Sequence, residues 1–297
     1  MQQIAEFLSD LAKMTEPGHS LSYNTIVGYR TAIGAIHTGF SEGVTVSNHP
    51  VLQSVMKGIF NSKATTRQLK PVWDLPKVLG HLSQAPFEPM ARASLRNLSV
   101  KTAFLIQLAS GRRGGWIHAC RMDPAYLRKE SGGFTFLSSL ILDKNQSAHF
   151  TPEPVFIAAL SDHSPDDKLH CPIRALKWYL DKTKTIRGQE KALFISSKEP
   201  HSKAAKLTIA GWVKEAIAGT YRDLPLEERL AMNIRAHDTR GVAASWARAA
   251  GVSIPEIMNA AAWSTPVTFA KFYLKDLPNQ KGKFGNAVLS TAGTFKP

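Results

Sequence analysis

The chain has 297 residues, longer than one typical domain, and its 43% apolar content is enough for real cores. Thirty-seven Lys and Arg against twenty-three Asp and Glu leave a formal charge of +14, which favours a polyanionic partner, nucleic acid above all. No run approaches the ~18 uninterrupted apolar residues of a membrane helix, the N-terminus "MQQIAEFLSDLAKM" carries acids without a cleavable apolar run, and two cysteines, Cys120 and Cys171, make neither a disulfide framework nor a zinc site. A soluble protein of a reducing compartment, with no membrane partner, is expected.

The first seventy residues read as helices. Ile4, Phe7, Leu8 and Leu11 follow the i, i+3, i+4, i+7 pattern of a buried helical face. Ser22 or Asn24 can cap a second helix with Ile26, Tyr29, Ile33 and Ile36 as its stripe. A third begins at Pro50, with Leu52, Val55, Met56, Ile59 and Phe60 inward. From Gly43 to Trp73 there is no acid, yet Lys57, Lys63, Arg67 and Lys70 are present. The stretch "NSKATTRQLKP" lacks apolar periodicity and reads as a basic linker, either lying along a nucleic-acid backbone or merely solvated. Beyond Trp73, "PKVLGHLSQ" and "SVKTAFLIQLAS" are predicted helices, the second capped by Ser99. "GGFTFLSSLILDKNQ" alternates, placing Phe134, Phe136, Ser138 and Leu140 on one face of a strand after a Gly-Gly turn. "EPVFIAAL" is a further short strand. Helices are predicted from Pro172 and from near Thr208, and the chain is mainly helical to about Leu277. The tail "PNQKGKFGNAVLSTAGTFKP" suits a segment that docks on something, another protomer included.

Four features can carry chemistry. In "LASGRRGGWIHACRMD", Arg112 and Arg113 end an apolar helix, where burial would strand their charge. A guanidinium fork suits a phosphate's non-bridging oxygens, although exposed turn arginines give the same pattern. Lys144, in "LILDKNQ", sits where an alternating strand reaches a turn and is placed either to donate a proton or to face solvent. His237 and Arg240 are three residues apart, share a face of a helical turn, and can donate to one phosphate or belong to a structural ion pair. Trp263 and Tyr273 would fall on different faces of one continuous helix. Pro266 after Ser264 and Thr265 breaks that helix and starts another, which carries Tyr273 beside Phe269. A core tyrosine fits the same spacing.

The order Arg113, Lys144, His237–x–x–Arg240, Trp263, Tyr273 resembles the tyrosine recombinase (phage integrase) family. Within it, "AAAWSTPVTFAKFYLKDL", "CPIRALKWYL" and "KPVWDLPKVL" resemble the recombinases of DIRS-like and Crypton-like transposons. The likeness is closest over residues 235–277, weaker over 71–220 and loosest in the N-terminal helices. It implies a mainly α fold with a small antiparallel β-sheet (α+β). A helical core-binding domain would span 1–62, a basic linker 63–73, a catalytic domain 74–277 and a tail 278–297. One departure stands out: Arg113 is followed by Gly114, Gly115 and Trp116, where many relatives carry a small residue and then a carboxylate.

The resemblance also implies the chemistry. Tyr273 would attack a DNA phosphodiester, with His237 taking its proton and Lys144 protonating the departing 5′ oxygen. Arg113 and Arg240 would brace the phosphate, Trp263 would add a neutral donor, and no metal or other cofactor would be required. Double-stranded DNA would also meet Arg30, Lys57, Lys63, Arg67, Lys70 and Arg112. Dimers on a site and tetramers in synapsis would assemble, in the nucleus if the chain is eukaryotic. Two other readings stay open, a decayed DNA-binding descendant and a type IB topoisomerase. An RNA-binding sheet would need exposed stacking aromatics, and no such pattern is present.

Overall fold

The computed structural model describes residues 1–14, 20–63, 73–137, 153–160, 165–270 and 274. Two compact units divide the chain, 1–70 and 71–297. Residues 64–72 of the expected linker and the expected tail, 278–297, lie outside the described residues.

In the first unit α1 (Gln2–Lys13), α2 (Tyr23–Ile36) and α3 (Pro50–Ser62) are the described α-helices. Ser22 caps α2, its side chain accepting from the Thr25 amide, and Pro50 opens α3 behind a His49 cap. Each helix spends one narrow stripe on the shared core, where Leu8, Ile26, Met56 and Ile59 are buried. That economy corrects the wider stripes expected from the sequence. Phe7, Tyr29 and Phe60 remain 43%, 44% and 51% exposed and Ile36 is 86% exposed, because so few helices cannot cover two faces of one another. Tyr23 and Phe60 meet edge to face instead, with ring centroids 5.1 Å apart.

The second unit is built around one helix. After α4 (Leu75–Leu82), α5 (Leu95–Ser110) is buried continuously from Leu98 to Gln107 and packs against α8 (Pro172–Thr183) and α9 (Lys206–Gly219). A helix apolar on nearly every side has to be central. It starts four residues before the predicted "SVKTAFLIQLAS", at Leu95, with Ser94 as its cap. Ser99 is therefore an interior residue, its hydroxyl turned back to the Leu95 carbonyl at 2.8 Å. Fully buried Lys101 on α5 donates to Leu82 O at 2.8 Å and pairs with Glu88 at 2.5 Å. Arg174 of α8 clasps the same carboxylate at 2.7 and 3.1 Å.

Following α5 come α6 (Gly114–Ala119) and an antiparallel sheet, β1 (Leu127–Glu130), β2 (Gly133–Phe136) and β3 (Val155–Ala158), ordered β1-β2-β3. Phe134 opposes Ile157 and Phe136 opposes Val155, so all four apolar side chains point into the core while Phe156 faces out. Gly133 is required here: a Cβ would collide with the Ile157 carbonyl oxygen. The mainly α, small-sheet class is the one expected. β1 was not predicted, since "LRKE" has no apolar alternation. Ser138, Leu140 and the rest of the predicted long strand fall outside the described residues.

Short α7 (Pro165–His170) precedes α8, which Cys171 caps through its sulfur. After α9 the chain continues as α10 (Leu226–Ala231), α11 (Asp238–Ala249), α12 (Ile254–Ala261) and α13 (Pro266–Thr268). Cys120 and Cys171 are both buried free thiols. Among the described residues no group of three or more His, Cys, Asp or Glu is placed to hold a metal ion, and no helix is long and apolar enough to cross a membrane.

Candidate active site

The site is assembled where the ends of α5 and α12 meet the start of α11. α5 stops at Gly111, whose left-handed φ of 60° is one that glycine adopts without strain. This cap lies against α12, since a Cβ on Gly111 would stand 3.8 Å from the Ala261 Cα. The turn sends Arg112 inward and Arg113 to the extended position that opens α6. Arg112 is 2% exposed, and its Nη2 donates to Glu153 O at 3.0 Å and Asn259 O at 3.5 Å. Arg112, expected among the DNA contacts, is buried here with its Nη2 on two main-chain carbonyls. Arg113 is half-buried, next along the chain.

Gln107, one turn earlier on α5, donates to Ala236 O at 2.9 Å and so fixes the residue that precedes His237. His237 sits just before α11 with its ring exposed. Its carbonyl accepts from the Arg240 amide at 3.3 Å, the helical turn that their spacing predicts. Their exposure differs, however: His237 is exposed and Arg240 is only 1% exposed. Its Nη2 donates to Ala261 O, and its guanidinium carbon lies 4.6 Å from the Trp263 ring centroid. One edge of the group is held by a carbonyl and one face by an indole.

The helix break predicted near Trp263 is present. α12 opens with a capping box made by Ser253 and Glu256 and closes at Ala262, a non-glycine residue in the left-handed region at φ 51°. That turn throws Trp263 off the helix axis and under Arg240, where its ring stacks on Phe269 at 5.4 Å. Trp263 and Phe269 are 2% and 1% exposed. α13 then begins at Pro266. Leu274 packs against this cluster, and its amide donates to Phe269 O at 2.9 Å. Lys144 and Tyr273 lie outside the described residues, as do Arg67 and Lys70.

Trp116 is the third residue after Arg113. It is 9% exposed and packs on Phe136 at 5.5 Å, so it belongs to the core beneath the sheet. A carboxylate reaches the neighbourhood from elsewhere: Glu153 Oε2 accepts from Asn259 Nδ2 at 2.7 Å. At the other end of α6, burial followed by repulsion from Lys203 and Lys206 lowers the pKa of His118. The Lys206 ammonium comes within 3.6 Å of where a Gly115 Cβ would lie. Of the residues expected to meet DNA from the first unit, Lys57 is exposed on α3, while Arg30 on α2 and Lys63 at the end of α3 are half-buried.

No protein-family model matches the sequence, and no curated protein matches it. The solved structure of the XerH site-specific recombinase bound to palindromic difH substrate, a post-cleavage complex, superposes with a TM-score of 0.54 at 16% identity, over 99% of this chain and 71% of the other. The protein has the tyrosine-recombinase fold. XerA recombinase (TM-score 0.48, 14% identity, 99% of this chain and 92% of the other) is also similar, as is the Tn1549 transposon integrase in complex with transposon right end DNA (0.48, 13%, 99% and 93%). Within this tyrosine-recombinase fold, Arg240 and Trp263 are in contact, Arg112 joins them at the end of α12, and His237 and Arg113 flank them in the chain. Gln107, Glu153, Asn259 and Ala261, which complete the arrangement, have no motif of their own. Gln107 leaves one trace in the sequence, an amide inside an otherwise apolar helical run.

Proposed function

We propose that the protein is a site-specific DNA recombinase of a mobile element, working through a 3′-phosphotyrosyl intermediate. The Tyr273 hydroxyl attacks the scissile phosphorus in line. A Tyr273 Oη–P bond forms and the bond from phosphorus to the 5′ oxygen breaks, while His237 takes the phenolic proton and Lys144 gives one to the leaving oxygen. Arg113 and Arg240 stabilise the charge that grows on the non-bridging oxygens, with Trp263 as a neutral partner. Preorganised donors of this kind are worth about 2.7–4 kcal/mol each. The bond energy stays in the covalent intermediate, so rejoining needs no nucleotide cofactor, and the step as written uses no metal.

The observation that carries this reading is the seat of Arg240. A guanidinium 1% exposed, held on one edge by Ala261 O and on one face by Trp263, is fixed before any substrate arrives. Such rigidity has little use in a solvated ion pair and much in transition-state binding. The tyrosine-recombinase fold and the net charge of +14 support it. In the same reading the unit that contains α1, α2 and α3 is the core-binding domain, and the basic linker lies along the duplex with Lys63, Arg67 and Lys70. Arg30 and Lys57 belong to the same DNA face. Protomers pair on a site and form a tetramer in synapsis, exchanging C-terminal tails. The likeness to DIRS-like and Crypton-like recombinases points to a eukaryotic element acting in the nucleus.

A nicked suicide duplex bearing the element terminus tests the chemistry. The wild type forms a covalent protein–DNA adduct and Tyr273→Phe forms none. Tight binding with no adduct from either protein supports the second reading, a decayed DNA-binding descendant, which the apolar Trp116 in the carboxylate's place favours. Site-independent relaxation of supercoils by a monomer would instead mark a type IB topoisomerase.

A further inference from the structure

Two guanidinium groups hang from the end of one helix. The last carbonyls of an α-helix have no partner within it and carry the negative end of its dipole. In α12 two of these end carbonyls accept from arginines far away in sequence, Asn259 O from Arg112, in addition to the Ala262 amide, and Ala261 O from Arg240. Glu153 closes a ring around the first. Its carbonyl accepts from Arg112 Nη2 at 3.0 Å and its carboxylate from Asn259 Nδ2 at 2.7 Å, while Asn259 O accepts from the same Arg112 nitrogen at 3.5 Å. The segment before β3, the last turn of α12 and the cap of α5 are thereby tied at one point, beside the contact of Gly111 with Ala261.

From this ring we infer that Arg112 is a positioning residue, which registers Arg113 and Arg240 against the end of α12 and makes no phosphate contact itself. A side chain 2% exposed, with a nitrogen engaged by two carbonyls, is poorly placed to reach a DNA backbone. Burying a cation is unfavourable unless its donors are met, and here Nη2 is met twice by main-chain carbonyls. Arg113 is bonded to Arg112 through one peptide, so its backbone inherits the anchorage. Arg240 inherits it through Ala261, two residues beyond Asn259. The catalytic consequence rests on the recombinase reading above; the mechanical linkage does not.

The test compares wild type with Arg112→Met, Arg112→Lys and Asn259→Asp. The last replaces an exposed side chain, sets two carboxylates against each other, and serves if Arg112→Met does not fold. Three quantities are read: adduct formation in a single turnover at saturating DNA, the salt dependence of DNA binding, and amide hydrogen exchange across α11 and α12. Arg112→Met should slow adduct formation by about a hundredfold, the scale of a misplacement of one ångström, and leave the salt slope unchanged. It should also speed exchange at Ala262, Trp263 and the first turn of α11. Arg112→Lys recovers part of the rate, since an ammonium still donates to carbonyls, and Asn259→Asp moves rate and exchange in the same direction by less. A salt slope shallower by about 0.9, one phosphate fewer, would overturn the inference in favour of a DNA contact. So would a lowered melting temperature with rate and α11 exchange untouched, the mark of a merely structural arginine. If wild type makes no adduct the recombinase reading fails separately, and exchange still decides: faster opening of α11 supports the linkage and unchanged opening refutes it.

Discussion

Trp263 shows how much of this site depends on a single side chain. Its ring is a floor for Arg240 and also stacks on Phe269, and it is nearly inaccessible to solvent. The indole expected to act as a hydrogen-bond donor therefore also works through its face. A desolvated cation–π contact is worth about 2 kcal/mol, and emptying a buried tryptophan site costs about 3–5 kcal/mol. Trp263→Ala should lower unfolding stability by that larger amount in urea titration. Trp263→Phe, which keeps an aromatic face under Arg240, should lose well under half as much. Equal losses would mean that packing volume alone matters and that the stacked cation contributes nothing. The spacing of Trp263 and Pro266 in the sequence was enough to expect a break here. What lies beneath the arginine was not, because a ring has no preferred partner until the chain folds.

Among the elements, boundaries set by proline or a capping side chain are legible and boundaries set by packing are not. Pro50, Pro172 and Pro266 begin helices where the sequence puts them. α5 is capped by Ser94 rather than Ser99, since nothing in "ASLRNLS" interrupts a helix and either serine can cap one. β1 pairs through its backbone alone and left no periodic trace. Two glycines separate the kinds of constraint involved. Gly111→Ala meets only ordinary contact with Ala261, so its penalty is left-handed strain of about 1–2 kcal/mol. Gly133→Ala drives a methyl into the Ile157 carbonyl, so β2 must separate from β3. Urea denaturation should therefore rank Gly133→Ala as distinctly the more destabilised. The reverse order would mean that the sheet is looser than its register implies.

At the scale of the whole molecule, stability in the second unit leans on an ion cluster inside its core. Burial opposes ionisation of Glu88, but hydrogen bonds from Arg174 and Lys101 and their charges outweigh it, and its pKa is lowered. Lys101 is held below its ordinary value, first by burial, with Glu88 pulling the other way. A carboxylate whose folded pKa is depressed stabilises fully above its unfolded value, about 4.3 for glutamate. That contribution is lost as pH falls through the folded value. Glu88→Gln leaves a buried ammonium without its counter-charge and should lose about 3–5 kcal/mol at neutral pH. Melting curves against pH should show this gap narrowing below about pH 4, as the wild-type carboxylate itself becomes protonated. A gap constant down to acid pH would show that the pair is not what the charge stabilises.

The sequence by itself determined the local and the cumulative properties: which segments are helical, where proline ends or begins them, the net charge of +14, and the linear order of Arg113, His237, Arg240 and Trp263. Periodicity and capping act within a few residues, and charge simply adds, so both can be read without a fold. Only the tertiary structure decided which of two adjacent arginines turns inward. That choice is made by a left-handed turn at Gly111 and by a carbonyl 147 residues away at Asn259. Main-chain carbonyls are identical in every residue, so no sequence pattern marks the ones at the end of a helix that receive a guanidinium.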